Sequence, residues 1–213
     1  MASQNMVLLS TAYFPPVHYF TKFILHPSRI IERYDHYTKQ SYRNRCNIFG
    51  ANGILTLSIP VLKGNRHKSY VKDIRIDYSK NWQKLHWKGI ESAYMRSPFF
   101  EFYLDEIRLL LDKKHNFLLE LNMEILDFLL GTLEISGGYK LSDAFNDSGT
   151  EYLNDYREII HPKKTPDEDS SFRAESYSQV FSDRYGFQEN LSIIDLLFNE
   201  GPNARFVLEN SCK

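Results

Sequence analysis

The chain has 213 residues, 42% of them hydrophobic and 25% charged, which is enough to bury a sizeable core and excludes global disorder. The formal net charge of -1 gives no overall field that would attract nucleic acid or an anionic membrane. No stretch approaches the roughly 18 apolar residues of a membrane span, the N-terminus lacks the features of a signal peptide, and cysteines are few, so the sequence predicts a cytoplasmic protein in a reducing compartment.

The first elements of the chain have the pattern of a βαβ unit. A continuous apolar run predicts a buried strand over 6–13. After a corner rich in proline and aromatic residues, Pro16 suits the first turn of a helix over 17–25, and a second strand is predicted over 29–34. A strand, a tight loop, a helix and a strand normally give parallel pairing with a right-handed crossover.

A β-hairpin is predicted next, within 46–61, because Asn52-Gly53 separates two β-rich runs. The basic loop at 62–69 follows, and its glycine and cations only imitate a phosphate-binding loop. Residues 71–77 alternate like a further strand.

From residue 79 the apolar spacing becomes helical. Three helices follow one another, over 79–96, 98–112 and 116–133. The later predicted elements are an exposed loop or lid at 161–173, a short strand at 176–181 and a helix at 190–201. Asn190 is expected to cap that last helix, and Asp195 to be an acid on its surface.

The sequence therefore predicts an α/β fold, with an N-terminal βαβ-type Rossmann-like sheet and a β-hairpin followed by a helical C-terminal portion. The expected division is an α/β portion at 1–78 with the candidate binding loops, and a mainly helical portion at 79–213. Both belong to one domain.

The corner "YFPPVHYF" at 13–20 is the first candidate site. Ligands of α/β sheets bind beyond the carboxyl ends of strands, where helix N-termini also offer free N–H groups. His18 is a candidate catalytic residue there, and Tyr19 a candidate substrate-binding residue. The stretch partly resembles the F-x-P-x-H-x-G-H loop of nucleotidyltransferases, but Phe20 and Thr21 replace the glycine and the second histidine. The alternative is a rigid corner packed against the core.

The segment from 39 to 45 is the second candidate site. Arginine grips phosphate or carboxylate with two donors, lysine adds a point charge, and amides suit sugar hydroxyls. These residue types predict binding of an anionic sugar or a nucleotide-sugar by Lys39, Gln40, Arg43, Asn44 and Arg45. A solvated basic edge is the equally weighted alternative.

His86 is the second candidate for proton transfer. It lies four residues after Trp82, so the two rings share one face of the predicted helix. A half-buried packing role is the alternative. The seven histidines show no metal-ligand spacing, and the glycine motifs of nucleotide cofactors are missing, so neither a metal nor a cofactor is predicted.

Five stretches carry a resemblance to a known family: "AYFPPVHYF", "YDHYTKQSYRNRCNI", "NGILTLSIPV", "NWQKLHWKGIESAYMRSPFFE" and "YSQVFSDRYGFQENLSIIDLLFNEG". In order and spacing they closely resemble the WbqC-like protein family over most of the chain, least so from about 140 to 173. Members of that family accompany genes for bacterial O-antigen and other surface polysaccharides, and glycine transfer has been suggested for one of them.

The resemblance implies a group transferase of surface-polysaccharide assembly, with aminoacyl (glycine) transfer to a sugar as one form of the reaction. Two alternatives stay open. One is a non-catalytic protein that binds a nucleotide-sugar or scaffolds other enzymes, which fits the missing nucleophile motif. The other is a divergent enzyme related to the nucleotidyltransferases. The oligomeric state does not follow from the sequence.

Overall fold

The computed structural model of the protein describes residues 6–62, 69–147 and 154–213, so most of the predicted basic loop at 62–69 lies outside the described residues. The strands are β1 (Met6–Ser10), β2 (Ser28–Glu32), β3 (Arg45–Gly50), β4 (Gly53–Ser58), β5 (Lys140–Leu141) and β6 (Asn154–Asp155). The α-helices are α1 (Val17–Leu25), α2 (Trp82–Tyr94), α3 (Phe100–Asp112), α4 (Leu118–Thr132), α5 (Ser182–Tyr185), α6 (Ile193–Glu200) and α7 (Ala204–Asn210).

A parallel sheet with the strand order β5-β2-β1-β6 forms the centre of the N-terminal half. β1 and β2 pair in parallel from Met6 opposite Ser28 to Ser10 opposite Glu32, which confirms the βαβ unit. The three central residues of β1 are fully buried. That burial explains the continuous apolar run, because a strand of a parallel sheet is covered on both faces.

The β-hairpin is also confirmed. β3 and β4 are antiparallel, and the last pair of the ladder is Gly50 with Gly53. Gly53 has a φ of 99°, a conformation that a side chain would strain, so glycine at this place in the turn has a backbone reason.

Two predicted strands are wrong. Within the strand predicted over 71–77, residues 71–73 form a short 3-10 helix, because the N–H groups of Val71 and Lys72 are taken by the carbonyls of Asp35 and Arg33. Only Arg75 and Ile76 pair as in a sheet, each through an isolated bridge. Residues 176–181 form no strand either, and the Ser178 N–H is bound by the Glu200 carboxylate. In both cases a contact from a distant segment replaces a strand partner.

The sheet is completed by strands that the sequence analysis did not predict. β5 pairs with β2, and β6 pairs with β1, each through two residues. Strands from both sides of residue 78 therefore share one sheet. In the part of the chain that the structure describes, no helix is both long enough and apolar enough to cross a membrane.

The polar tract at 161–173 contains a short 3-10 helix, Pro166–Glu168. Sequence analysis predicted an exposed loop or lid, and much of the tract is exposed. Asp169 and Phe172 are instead buried. The Asp169 carboxylate bonds to His18 and Lys22 of α1, and the Phe172 ring stacks on His18. The tract is therefore fastened to α1 by these two side chains.

Candidate functional site

A narrow cleft opens at the carboxyl end of the parallel sheet, between β1 and β6. From β1 the chain crosses over to β2 on one side, while β6 lies on the other side, so this is the point at which the strand order reverses. Ligands of open α/β sheets bind at such points. The walls come from 10–12 after β1, 41–43, 156–160 after β6, and Tyr19. The cleft is small, because its space of about 270 Å³ includes open solvent at the mouth.

Arg43 is the main cation of this cleft and is only 2% exposed. One of its terminal nitrogens bonds to Asp35 and lies 3.7 Å from a Glu158 carboxylate oxygen. Its Nε is buried and has no hydrogen-bond partner among the described residues. A buried donor without an acceptor is costly, so this nitrogen is suited to an acceptor that a ligand brings.

Arg157 lines the same cleft, immediately after β6. Its Nε donates to an Asp155 carboxylate oxygen at 3.0 Å, one terminal nitrogen donates to the other oxygen at 2.7 Å, and Glu32 lies 3.7 Å away. Burial alone would lower the pKa of Arg157, but these carboxylates raise it above its usual value. This two-point grip fixes the plane of the guanidinium group.

Glu32, at the carboxyl end of β2, is fully buried. Burial by itself would raise the pKa of Glu32, but hydrogen bonds from Ser142, Asn146 and the Tyr34 N–H lower it below the usual value. The carboxylate therefore stays ionised beside Arg157 and balances its charge.

Tyr19 forms a rigid wall of the cleft. Its hydroxyl donates to the Ser10 carbonyl at 2.9 Å, at the end of β1. Burial raises the pKa of Tyr19 well above its usual value, so it stays neutral. Its hydroxyl proton is already used within the protein, which leaves the ring and the oxygen for ligand contact.

A second group of titratable side chains lies behind this wall, under α1. The His18 Nε2 donates to an Asp169 carboxylate oxygen at 2.7 Å, and the fully buried Lys22 bonds to the same oxygen. The other oxygen of Asp169 accepts from the Ser171 hydroxyl at 2.7 Å. Burial lowers the pKa values of both His18 and Lys22, against the attraction of Asp169.

Tyr156 connects the two groups. It lines the cleft, and the Lys22 Nζ lies 4.5 Å from the centre of its ring. Its hydroxyl lies 3.3 Å from the Ser171 hydroxyl, which bonds to Asp169. A chain of hydrogen bonds therefore runs from a wall of the cleft to His18, which is itself only 1% exposed.

The Pro-Pro corner is held by the chain around Asn190. The Asn190 Oδ1 accepts the His18 N–H at 3.0 Å, and the Ser192 hydroxyl donates to the Phe14 carbonyl at 2.8 Å. Asn190 thus satisfies the first turn of α1, whereas sequence analysis assigned it to its own helix. Phe14 has a φ of 37°, an uncommon conformation for a non-glycine residue, which these contacts maintain.

His86 lies elsewhere, between the corner and the hairpin. Its Nε2 donates to the Ser58 carbonyl at 3.2 Å, so its Nδ1 accepts from the Tyr13 hydroxyl at 2.9 Å. Burial lowers the pKa of His86 to about 4, which keeps the ring neutral at pH 7. Both ring nitrogens are engaged by the protein, and the Trp82 ring packs against this histidine as the helical spacing predicted.

Of the residues predicted for the site, Tyr19 and Arg43 line the cleft. Lys39 and Gln40 are exposed, Asn44 is tied to the Ile59 carbonyl, and Arg45 is half-buried at the start of β3. These four are not among the described residues of the cleft walls. Burial raises the pKa of Tyr37, and the charges of Arg45 and Arg43 offset that effect only in part, which places both arginines near this tyrosine.

Sequence reasoning missed Arg157, Lys22 and Asp169. Arg157 follows a strand of two residues that has no periodicity to reveal it, and Asp169 lies in a tract that is polar throughout. Lys22 lies in a helix whose apolar spacing was recognised, and its burial depends on Asp169 reaching it from far along the chain. Across 6–62, 69–147 and 154–213, no group of three or more histidine, cysteine or acidic residues is arranged to hold a metal ion.

These features describe an α/β protein with a charged cleft at the reversal point of a parallel sheet. The model of the WbqC-like protein family matches residues 11–163, so the chain belongs to that family. It is also similar to a Mycobacterium tuberculosis protein named "Uncharacterized protein Rv1507c", with 25% identity over 225 residues that cover 94% of this chain and 96% of that protein. No solved structure matches the chain significantly.

Proposed function

We propose that this protein is a group transferase of bacterial surface-polysaccharide assembly, and that it binds an anionic, sugar-containing substrate in the cleft between β1 and β6. The polysaccharide context comes from the family association. The location of the binding site is argued from Arg43, a residue that lines the cleft. Its Nε is buried and has no acceptor among the described residues.

In this proposal Arg43 binds a phosphate or carboxylate of the substrate, with Arg157 held beside it. Asp35 and Asp155 orient the two guanidinium groups, and Tyr19 forms the wall against which a sugar ring packs. Lys39 and Gln40, on the exposed segment before Arg43, would contact the distal part of a nucleotide-sugar. Roles for Asn44 and Arg45 require a movement of the 39–45 segment toward the cleft.

His18 is the proposed proton acceptor. Asp169 holds its Nε2–H and so fixes the ring, as carboxylates do for catalytic histidines. With its Nε2–H held by Asp169, His18 would accept the proton at Nδ1, and Tyr156 lies between the ring and the cleft, so this proton transfer requires a displacement of Tyr156. His86 remains a prediction without ligand access, because both of its ring nitrogens are engaged. Glycine as the transferred group depends on the family association alone.

The two alternative functions require different surroundings of His18. A non-catalytic nucleotide-sugar-binding or scaffold protein is favoured by the burial of His18 at 1% exposure, since such a protein needs no proton acceptor in reach of the ligand. An enzyme related to the nucleotidyltransferases would need a second histidine near His18, where Thr21 stands and donates its hydroxyl to the His18 carbonyl.

The binding site is tested by thermal shift with a panel of uridine and thymidine diphosphate sugars, using Arg43→Lys as the variant and Arg33→Lys as the matched control. Lysine keeps the charge but removes the Nε and the planar fork. We expect wild type and the control to be stabilised by at least one compound, and Arg43→Lys to lose most of that shift. Equal shifts for Arg43→Lys and wild type would exclude the site.

Catalysis is tested separately, by incubating the stabilising compound with glycyl, acyl and nucleotidyl donors and analysing products by mass spectrometry. Turnover that is lost in His18→Gln, with ligand stabilisation retained, would support the transferase. Stabilisation without turnover under any donor would favour the binding or scaffold protein.

A further inference from the structure

A second cavity lies between the C-terminal end of α2 and the 178–181 segment, above α6. It encloses about 1230 Å³ including its open mouth, several times the volume of the β1–β6 cleft. Among the described residues the two sites have no wall residue in common. The cavity is therefore a separate feature, which the proposed function does not use.

The outer wall of this cavity is held in place by Asp195. This carboxylate was predicted to lie on the helix surface, but it is fully buried. It accepts hydrogen bonds from the Tyr177 hydroxyl at 2.7 Å and from the Gln179 Nε2 at 2.9 Å. The Gln179 Oε1 in turn accepts from the Gln188 N–H at 2.8 Å. These bonds prevent the 177–179 backbone from collapsing onto α2, so the cavity is pre-formed.

Two polar groups at this cavity lack partners. Asn199, which is 6% exposed, donates its Nδ2 to the Asp195 carbonyl at 2.7 Å. Its Oδ1 then has no hydrogen-bond partner in the part of the chain that the structure describes. Arg96 is exposed at the rim and forms no ion pair with any described residue. The side chains that carry this acceptor oxygen and this exposed cation both line the same cavity.

The rest of the lining is mixed: six residues are apolar, and Ser92, Ser97, Ser178 and Gln179 are polar. Met95, Val180 and Phe181 contribute side chains, and Met95 is 63% exposed although it is large and hydrophobic. Sites for small molecules typically combine such apolar walls with a few polar groups that set the orientation of the ligand.

We propose that this cavity binds a small amphipathic anion, namely a carboxylate or phosphate on an apolar body that also carries a hydroxyl or amide donor. Arg96 binds the anion, the Asn199 Oδ1 accepts the donor, and the apolar body packs against Met95, Val180 and Phe181. This site is independent of the transferase proposal, because it shares neither walls nor charged residues with the cleft.

The test uses 4-hydroxyphenylacetate, which has a carboxylate, a ring and a hydroxyl, and compares it with the neutral 4-hydroxyphenylethanol. Binding to the full chain is measured by NMR titration with ¹⁵N-labelled protein. The variants are Arg96→Gln, to remove the cation, and Ser178→Trp, to fill the cavity; both residues are exposed, so folding should be retained. Arg108→Gln on α3 is the matched control, since Arg108 is 57% exposed and lies outside the cavity walls.

We expect the acid to shift amides of 92–98 and 178–181 and to bind more tightly than the alcohol. Arg96→Gln should weaken the binding of the acid by roughly fivefold, as the loss of one exposed ion pair implies, and leave the binding of the alcohol unchanged. Ser178→Trp should abolish binding of both. The proposal is overturned if wild type does not bind the acid at about 10 mM, a generous limit for a fragment-sized ligand, or if Arg96→Gln and Ser178→Trp bind like Arg108→Gln. Arg43→Lys should have no effect, so failure of either proposal can be recognised separately.

Discussion

Two aspartates are buried in the part of the chain that the structure describes, and their partners differ in kind. Asp169 is bound by the cation of Lys22 and by the ring of His18. Asp195 accepts hydrogen bonds from three neutral groups, the hydroxyls of Tyr94 and Tyr177 and the amide of Gln179. Both carboxylates are more than nine-tenths buried, so burial penalises the ionised form of each.

The two pKa values nevertheless move in opposite directions. For Asp169, burial alone would raise the pKa, but bonds from His18, Lys22 and Ser171 lower it far below its usual value. For Asp195, burial raises the pKa, and the hydrogen bonds of its neutral partners do not fully offset that effect. The comparison shows that the bonds from His18, Lys22 and Ser171 outweigh the effect of burial on Asp169, whereas the three neutral donors of Asp195 do not.

The largest expected effect is that of Asp169→Ala. This substitution leaves the Lys22 ammonium buried without its counter-ion, which typically costs about 3 to 5 kcal/mol of unfolding free energy. Urea unfolding measures it, with the exposed neighbour Glu168→Ala as the control, for which a change below about 0.5 kcal/mol is expected. A loss below about 1 kcal/mol for Asp169→Ala would show that Lys22 is neutral or solvated in the folded state.

Asp195→Asn should cost less, about 1 to 3 kcal/mol, because no cation is left unpaired. In the variant, the amide nitrogen of the asparagine faces groups that donate to the carboxylate in wild type, so donor faces donor. Gln179 can offer an acceptor in place of its Nε2 only if its side-chain amide turns over. The matched control is Asp183→Asn, on an exposed turn of α5, for which no change is expected. If Asp195→Asn destabilised the protein as much as Asp169→Ala, the cationic partner of Asp169 would not explain the larger effect expected there.

Tyr177→Phe tests one neutral donor by itself and should cost about 1 kcal/mol. Tyr185→Phe is the control, since its hydroxyl bond to the Ala51 carbonyl is exposed to water. The variant should also raise the pKa of Asp195 further, because one hydrogen bond that favours its ionised form is lost. Equal unfolding free energies for the two variants would mean that Tyr177 does not support Asp195.

The smallest effect, about 1 kcal/mol, is expected in the pH dependence of the two Asp→Asn variants. The pKa of Asp195 is raised in the folded state, so its contribution to stability falls as pH rises above the unfolded pKa of about 4. The penalty of Asp195→Asn should therefore shrink from about pH 4 to about pH 7.

The pKa of Asp169 is lowered, so its contribution is fully present above about pH 4 and is lost only as pH falls further. The penalty of Asp169→Asn should thus stay constant over the window in which that of Asp195→Asn shrinks. Unfolding midpoints measured at a series of pH values compare the two directly. Parallel pH profiles for both variants would contradict the opposite shifts of their pKa values.

The local elements of this protein could be predicted where the signal lies within one segment. α1 spans the predicted residues, and the hairpin follows from Asn52-Gly53, because helical spacing and turn chemistry act over a few residues. β5 and β6 could not be predicted, since strands of two residues have no period and exist because β2 and β1 offer them partners. The alternation at 71–77 wrongly predicted a strand, because the backbone of 71–73 bonds to a distant segment instead of to a neighbouring strand.

The candidate site likewise contains residues that the sequence indicated and residues that only the folded structure shows. The residue types around Arg43 and Tyr19 indicated anion and sugar binding, and both residues line the cleft. The Arg43 partner Asp35, the second cleft arginine Arg157 and the link from Tyr156 to His18 come from segments that meet only after folding. A sequence pattern describes neighbours along the chain, whereas the surroundings of a charged group depend on neighbours in space.

The family, the βαβ unit, the hairpin and the helical character of residues 79–133 could all be predicted from the sequence, because each depends on local spacing or on recognisable order along the chain. Only the tertiary structure decided which charges are buried and with what partners. Asp195 and Asp169 both looked like ordinary surface acids in polar or amphipathic stretches. Burial and the choice between neutral and cationic partners separated them, since both are set by packing across distances of many residues.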